Sequence, residues 1–202
     1  MINQGGEILP IYSKTMKIET IEIAGFAGAL TALRLPFGKD VRSFIDTIPG
    51  TRGKLQRWDT FCSDVAIRID QKDLQLMTTL VKRGDEHAKV VRGIMVWARI
   101  KAPVYFTREL ETYRAGRERL SSSSTMHLEC QGLSGEELQR AKAELPMGTE
   151  QDFVDVYSYQ TLRRIVAQRH NHRLPEWHTF IDWVRTLPFA EELILVGLET
   201  EE

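Results

Sequence analysis

Apolar residues recur along the chain with the two spacings that distinguish strands from helices. Residues 16–23 alternate between apolar and polar side chains, as a half-buried strand does. Residues 24–35 then continue at helical spacing until Pro36 ends the helix. Residues 94–101 alternate most cleanly, with one apolar side and one basic, amphipathic side. A strand that leads directly into a helix opens many α+β folds.

Helical spacing dominates much of the remaining chain. The sequence predicts helices from Asp70 until Gly84 interrupts the pattern, from Asp85 to about Gly93, from Pro103 to about Arg114, from Ser134 to about Glu144, from Ser158 to Arg169, and from Leu174 to Pro188. Ser134 with Glu137 three residues later matches a capping box. Two further short elements are predicted, a strand over residues 61–69 and an apolar segment over residues 189–198.

These elements predict a single α+β domain over residues 1–202, with an insertion or lid at residues 38–69, the least regular stretch. The hydrophobic content of 42% and the charged content of 27% are those of an ordinary soluble globular protein. Because the formal net charge is only -1, the composition argues against a general nucleic-acid-binding surface, and no duplex nucleic acid is expected as a partner.

Composition also bears on compartment and metals. The two cysteines, Cys62 and Cys130, lack metal-ligand spacing, which favours a reducing compartment. His170 and His172 would face the same way on a strand but not on a helix, and no metal site is predicted. No apolar run has the length of a membrane span, and the N-terminus lacks the apolar core of a signal peptide. We therefore expect a cytoplasmic protein with no membrane partner.

Candidate chemistry is concentrated between residues 102 and 127. This stretch contains four arginines and a run of five hydroxyl residues: Arg108, Arg114, Arg117 and Arg119, then Ser121 to Thr125. Guanidinium groups and small hydroxyls hold phosphate or carboxylate because they supply many donors in fixed geometry. The alternative is a solvated helix followed by a flexible loop, since exposed charge is the usual state of Arg and Glu.

A second candidate lies on the helix that begins at Ser158. Leu162, Ile165 and Val166 form its apolar stripe, and Arg169 extends that stripe by one more turn. A guanidinium on a buried stripe needs a counter-charge, because an unpaired buried charge is very costly. The partner is either an internal Asp or Glu or a bound anion.

The sequence contains no GxGxxG, Walker loop, HExxH or nucleophile elbow. However, residues 99–110 (Arg-Ile-Lys-Ala-Pro-Val-Tyr-Phe-Thr-Arg-Glu-Leu), followed by Tyr113-Arg114, resemble the signature region of the flavin-dependent thymidylate synthases. In that family a strand ending in an Ala-Pro turn leads to an Arg-Gln pair, an Arg-His-Arg motif and a loop with Glu, Ser and Arg. Residues 158–169 and Leu-Pro-Glu-Trp at 174–177 resemble its second conserved region. The chain is most similar to a divergent, phage-encoded set that shares Leu-Pro-Glu-Trp and Ser-Thr-Met-His.

The resemblance implies an α+β fold with a central mixed or antiparallel sheet flanked by helices, and a role for each matching residue. Arg169 would contact the nucleotide near the pyrimidine and act in catalysis. The flavin FAD would be held by Arg114, Tyr113 and Ser158. The substrate would be held by Arg108, Glu109, Arg117, Arg119, Ser122 and Ser124, the two serines lying on the deoxyuridylate loop.

The sequence departs from the family pattern at several positions. Thr112 and Tyr113 replace the first Arg and the His of Arg-His-Arg, and Glu109 replaces Gln. Met126 stands where a nucleotide-binding Arg is expected, and Arg117 or Arg119 could substitute for it. A Glu-His pair at residues 86–87 lies about six residues upstream of its place in the family.

Three functions follow from the resemblance. The first is a FAD-dependent, thymidylate synthase-like transferase that moves a one-carbon unit from methylenetetrahydrofolate to a pyrimidine deoxynucleotide, using NADPH. The second is a catalytically inactive relative that binds a nucleotide or a protein. The third is a relative that modifies another base such as cytosine, whose amino group would suit Glu109. In each case the resemblance implies a homo-oligomer, a tetramer as in the family.

Overall fold

The alternating segment predicted at residues 94–101 is one of the two interior strands of an antiparallel sheet. The computed structural model describes residues 16–38 and 69–198. Within them, the strands are β1 (Lys17–Ala24), β2 (Met95–Pro103), β3 (Arg117–Ser122) and β4 (Glu150–Ser158), in the spatial order β1-β2-β4-β3. Every neighbouring pair is antiparallel. β3 and β4 are not among the elements that the sequence pattern indicates.

Helices flank the sheet as expected for an α+β domain. They are α1 (Phe26–Arg34), α2 (Gln71–Lys82), α3 (Val104–Leu110), α4 (Gly135–Ala143), α5 (Tyr159–Arg169) and α6 (Pro175–Arg185), with 3-10 turns at Leu35–Phe37 and Ala88–Arg92 and a π-helical turn at Glu191–Leu195. No helix in the described ranges is long and apolar enough to cross a membrane.

The core lies on the apolar side of β2 and continues through a chain of aromatic rings. Phe106 of α3 packs on Trp177 of α6 at a centroid distance of 4.7 Å, and Phe180 of α6 packs on Tyr157 of β4 at 5.8 Å. Trp183 also donates a hydrogen bond to the Thr20 hydroxyl of β1 (2.9 Å). Aromatic packing therefore fixes α3 and α6 against each other and against the sheet.

Several boundaries differ from the prediction. The helix expected over residues 103–114 begins only at Val104, because Pro103 keeps the extended backbone of β2. It ends at Leu110, where a turn follows. The helix expected from Asp85 is only the short 3-10 turn Ala88–Arg92. Ser134 precedes α4, but its side chain makes no capping hydrogen bond. Residues 39–68, with nearly all of the predicted insertion and short strand, lie outside the described residues.

Candidate functional site

The position of Arg169 is set by the contacts that anchor α5, the helix that carries it. The Ser158 hydroxyl caps the helix by accepting the Thr161 backbone N–H (3.1 Å), and Leu162, Ile165 and Val166 are fully buried. The stripe that they form continues to Arg169 in the last turn, as its spacing predicts. The side chain of Arg169 emerges there with 21% of its surface exposed.

The counter-charge that Arg169 requires is supplied by α3. Its Nη1 lies 3.4 Å from Glu109 Oε2, and its Nε donates to the Tyr113 hydroxyl at 2.7 Å. The guanidinium also lies over the Trp177 ring, 4.7 Å from the centroid. A cation that contacts an aromatic face and a carboxylate together is held in one orientation.

The same oxygen, Glu109 Oε2 of α3, also contacts Trp177 of α6 and His172 of the loop before α6. Trp177 Nε1 donates to Glu109 Oε2 at 3.0 Å, and His172 Nε2 lies 3.5 Å from that oxygen. We call Glu109, Tyr113, Arg169, His172 and Trp177 the Arg169 cluster. It unites the two chain regions that carry the family resemblance.

A hydrogen bond beside the cluster ties α3 to α6 a second time. The Tyr105 hydroxyl donates to Glu176 Oε1. Burial raises the pKa of Tyr105, and together with the hydrogen bond to Glu176 and the charge of that carboxylate it brings the pKa to about 12. Tyr105 therefore remains a neutral donor at physiological pH.

The Arg169 cluster keeps unused binding capacity. Among the described residues, Arg169 Nη2 and Glu109 Oε1 have no hydrogen-bond partner, and Glu109 retains 35% of its side-chain surface. Arg108 and Arg114 flank Glu109 and Tyr113 along the chain, and both are exposed. Neither makes a side-chain hydrogen bond or ion pair within residues 16–38 and 69–198. Anion-binding groups thus remain available at this end of α3.

Arg117 and Arg119 are placed differently, on β3 against a buried carboxylate. Arg117 Nε and Arg119 Nε each donate to Asp155 of β4 at 2.7 Å, on different oxygens. The Tyr157 hydroxyl donates to the same carboxylate at 2.9 Å. Burial raises the pKa of Tyr157 well above its usual value, and the charge of Asp155 adds to this effect. We call Arg117, Arg119, Asp155 and Tyr157 the Asp155 cluster.

The predicted serines have three separate environments. Ser122 ends β3 and is exposed, whereas Ser124 is half-buried and accepts the Met126 backbone N–H at 3.2 Å. Ser158 is buried, and besides its capping bond its hydroxyl lies 2.9 Å from Thr161 Oγ1. Of the three serines, Ser122 alone is exposed and has no hydrogen-bond partner for its hydroxyl among the described residues.

Sequence reasoning missed Asp155 and the role of His172. The signal for Asp155 was present, because it is the one charge in an otherwise apolar and aromatic run, and on a strand it lies on the same side as Phe153 and Tyr157. A charge on the apolar side of a strand indicates a buried ion pair. His172 gave no comparable signal, since its position depends on the loop between α5 and α6.

The fold is shared with flavin-dependent thymidylate synthases. Thymidylate synthase X from Helicobacter pylori, crystallised with FAD and dUMP, matches with a TM-score of 0.62 and 14% identity, over 92% of this chain and 100% of that chain. A second Helicobacter pylori structure of the enzyme, complexed with FAD and dUMP, matches with a TM-score of 0.60 and 12% identity, over 88% of this chain and 97% of that chain. No protein-family model and no curated protein sequence matches the chain. The expected fold class is therefore confirmed.

Proposed function

We propose that the protein is a flavin-dependent one-carbon transferase that acts on a pyrimidine deoxynucleotide. The observation that carries this proposal is the Arg169 cluster, in which two distant segments meet and leave donor and acceptor atoms free. The fold supports it, because structures with this fold have been crystallised with FAD and dUMP. NADPH and methylenetetrahydrofolate would serve as co-substrates.

Arg169 would act on the base itself. Tyr113, Glu109 and Trp177 hold its guanidinium in place before any ligand arrives, so little reorganisation would be needed when charge develops on the pyrimidine. Ser122 and Ser124 would face the nucleotide from the end of β3, where hydroxyls can donate to phosphate. Positioning and electrostatics are the contributions expected from the protein in this chemistry.

The donor set at the end of α3 fits a flavin that carries a diphosphate. Arg114 is an exposed guanidinium, and guanidinium forks match phosphate oxygens, so it would hold the diphosphate of the flavin. Arg108, which lies six positions upstream and is also exposed, would hold the phosphate of the nucleotide substrate. A bound FAD would supply the hydride for reduction. Tyr113, adjacent to Arg114, would contact the flavin by its ring, because its hydroxyl is used by Arg169.

A homotetramer is part of the proposal. β3 and the segment that connects it to β4 expose five large apolar side chains: Leu120, Met126, Leu128, Leu133 and Met147. Such a concentration of exposed apolar surface is typical of subunit contacts. Light scattering on the purified protein should give four times the monomer mass of 23.2 kDa, and a monomer would contradict this part of the proposal.

A second function is a catalytically inactive relative that binds only a nucleotide or a protein. One observation favours it: Tyr113 stands at the position of the family's motif histidine, and its hydroxyl is held by Arg169. Thr112, at the position of the motif's first arginine, hydrogen-bonds to the Glu109 carbonyl at 2.8 Å. Loss of both motif residues would remove flavin contacts while leaving Arg169 in place.

Flavin binding separates the two functions. The purified protein, incubated with FAD and desalted, should retain visible flavin absorbance, and FAD should raise its melting temperature. Replacing Arg114 by alanine should weaken FAD binding about tenfold or more, since a charge-assisted phosphate contact is lost. Arg83→Ala, an exposed arginine at the end of α2, is the matched control and should bind FAD normally. Nucleotide binding without any flavin absorbance or FAD-induced thermal shift would favour the inactive relative.

A further inference from the structure

The carboxylate of Glu109 is fixed through one of its two oxygens. Trp177, which is fully buried, donates its Nε1–H to Oε2 at 3.0 Å. His172 Nδ1 accepts the Leu174 backbone N–H at 3.2 Å, so the ring carries its hydrogen on Nε2, the atom 3.5 Å from the same Oε2. With Arg169 Nη1 at 3.4 Å, three groups that can donate converge on a single oxygen.

The other oxygen, Oε1, is left as an acceptor. No donor within residues 16–38 or 69–198 bonds to it, and 35% of the glutamate side chain is exposed. An ionised carboxylate only accepts hydrogen bonds, whereas a guanidinium only donates them. Because Arg169 Nη2 is also unused, the cluster offers a ligand one acceptor and one donor on two side chains that contact each other.

Cytosine and uracil present different hydrogen-bonding groups to an acceptor on Glu109 and a donor on Arg169. The N4 amino group of cytosine donates, and its N3 and O2 accept, so cytosine can donate to Glu109 and accept from Arg169. Uracil presents a carbonyl at position 4. If this oxygen faced the glutamate oxygen, two hydrogen-bond acceptors would lie against each other and repel. The N3–H of uracil lies between two carbonyls, which repel an approaching carboxylate. The pairing of Glu with cytosine N4 is a recurring form of base recognition.

We propose that Glu109 makes the site selective for a cytosine deoxynucleotide over a uracil deoxynucleotide. This inference rests on the proposed function, which places a pyrimidine against the Arg169 cluster. Selectivity then comes from a polar group that would be left unpaired, or opposed by a like group, when the wrong base binds.

The test is a set of binding titrations on the full chain, in the presence of FAD, with dCMP, dUMP and deoxyribose 5-phosphate as probes. The wild-type protein should bind dCMP at least about tenfold more tightly than dUMP, and the sugar phosphate most weakly. In Glu109→Gln the amide can both donate and accept, so the preference for dCMP should shrink or reverse. Glu109→Asp, which keeps the charge, should retain a preference for dCMP even if both affinities fall.

Glu111→Gln is the matched control, because Glu111 is an exposed carboxylate nearby that pairs with Arg119. Its ratio of dCMP to dUMP affinity should equal that of wild type. Wild-type protein that binds dUMP as tightly as dCMP, or a ratio unchanged in folded Glu109→Gln, would overturn the inference and leave the proposed function intact. Failure to bind any of the pyrimidine nucleotides would overturn the proposed function itself.

Discussion

The two arginine clusters of this protein are built from the same residue types but differ in closure. In the Asp155 cluster, the carboxylate is fully buried and both of its oxygens accept from arginine. In the Arg169 cluster, the carboxylate is 35% exposed and one oxygen takes all of the described contacts. In the Asp155 cluster, Arg117 Nη2 has no hydrogen bond among the described residues, but it is buried and out of reach of a ligand. The Arg169 cluster instead has an unused acceptor and an unused donor on partly exposed side chains.

The difference shows that arginine content alone does not identify an anion site. Arg117 and Arg119 lie in the richest run of cations and hydroxyls in the chain, yet the β4 strand brings Asp155 against both. Arg169 stands on a largely apolar helix face, yet it retains free hydrogen-bonding capacity among the described residues. What decides the role of each arginine is whether the fold buries it against a counter-charge or leaves its donors partly exposed.

The largest expected effect comes from opening the closed cluster. Asp155→Asn removes the counter-charge of the buried Arg117 and should lower the free energy of unfolding by about 3–5 kcal/mol. Asp152→Asn is the control, since the Asp152–Arg99 pair is exposed on its arginine side and should contribute far less to stability. Urea unfolding of both variants measures the difference. Equal, small losses would mean that the Asp155 cluster is not the closed unit described here.

Removing the arginine of the open cluster should affect binding more than folding. Arg169→Ala should weaken pyrimidine nucleotide binding about tenfold or more, while the free energy of unfolding falls by only about 1 kcal/mol because the ion pair is partly exposed. Thermal shift with nucleotide, together with urea unfolding, separates the two effects. Arg164→Ala, on the same helix and paired with Asp85, is the control and should bind nucleotide normally. A wild type that ignores all nucleotides, with an Arg169→Ala variant that unfolds, would make Arg169 a structural residue.

The helices and the interior strand β2 could be predicted because their signals are local. The stripe Leu162, Ile165 and Val166 fixes both the helix and the face on which Arg169 lies, and the alternation in β2 fixes which side is buried. β3 escaped prediction because its residues are polar and hydroxylic, and such a composition does not separate an edge strand from a loop.

The partners of each arginine could not be predicted, because they depend on strand order and helix packing. The contact of Asp155 with Arg119 requires that β3 pair with β4, and β4 was not predicted. The contact of Glu109 with Trp177 requires α3 and α6 to pack side by side, 68 residues apart in the chain. The spacing of the α5 stripe therefore predicts that Arg169 needs a counter-charge, but it does not predict which residue supplies it.

Ser158 links the two clusters, since it ends the strand of Asp155 and caps the helix of Arg169. Ser158→Ala should lower the free energy of unfolding by about 1 kcal/mol through loss of the helix cap. Because both contacts of its hydroxyl are to Thr161, we expect the affinity for FAD to be unchanged. Thermal unfolding and FAD titration of the same variant check both expectations. Weaker FAD binding at unchanged stability would instead make this serine a cofactor contact.

The smallest expected effect is a change in pH dependence beside the open cluster. The pKa of Tyr105 is about 12 in the folded protein, above its usual value near 10, so its contribution to stability is complete below pH 10 and is lost as the pH rises through 12. Tyr105→Phe lacks this contribution and should melt at a lower temperature near neutral pH, with a shallower decline above pH 10. Melting curves of both proteins from pH 7 to 12 should therefore converge at the alkaline end. Parallel curves would mean that the Tyr105–Glu176 contact does not hold α3 against α6, and the open cluster would then lose one of the contacts that keep Glu109 and Trp177 together.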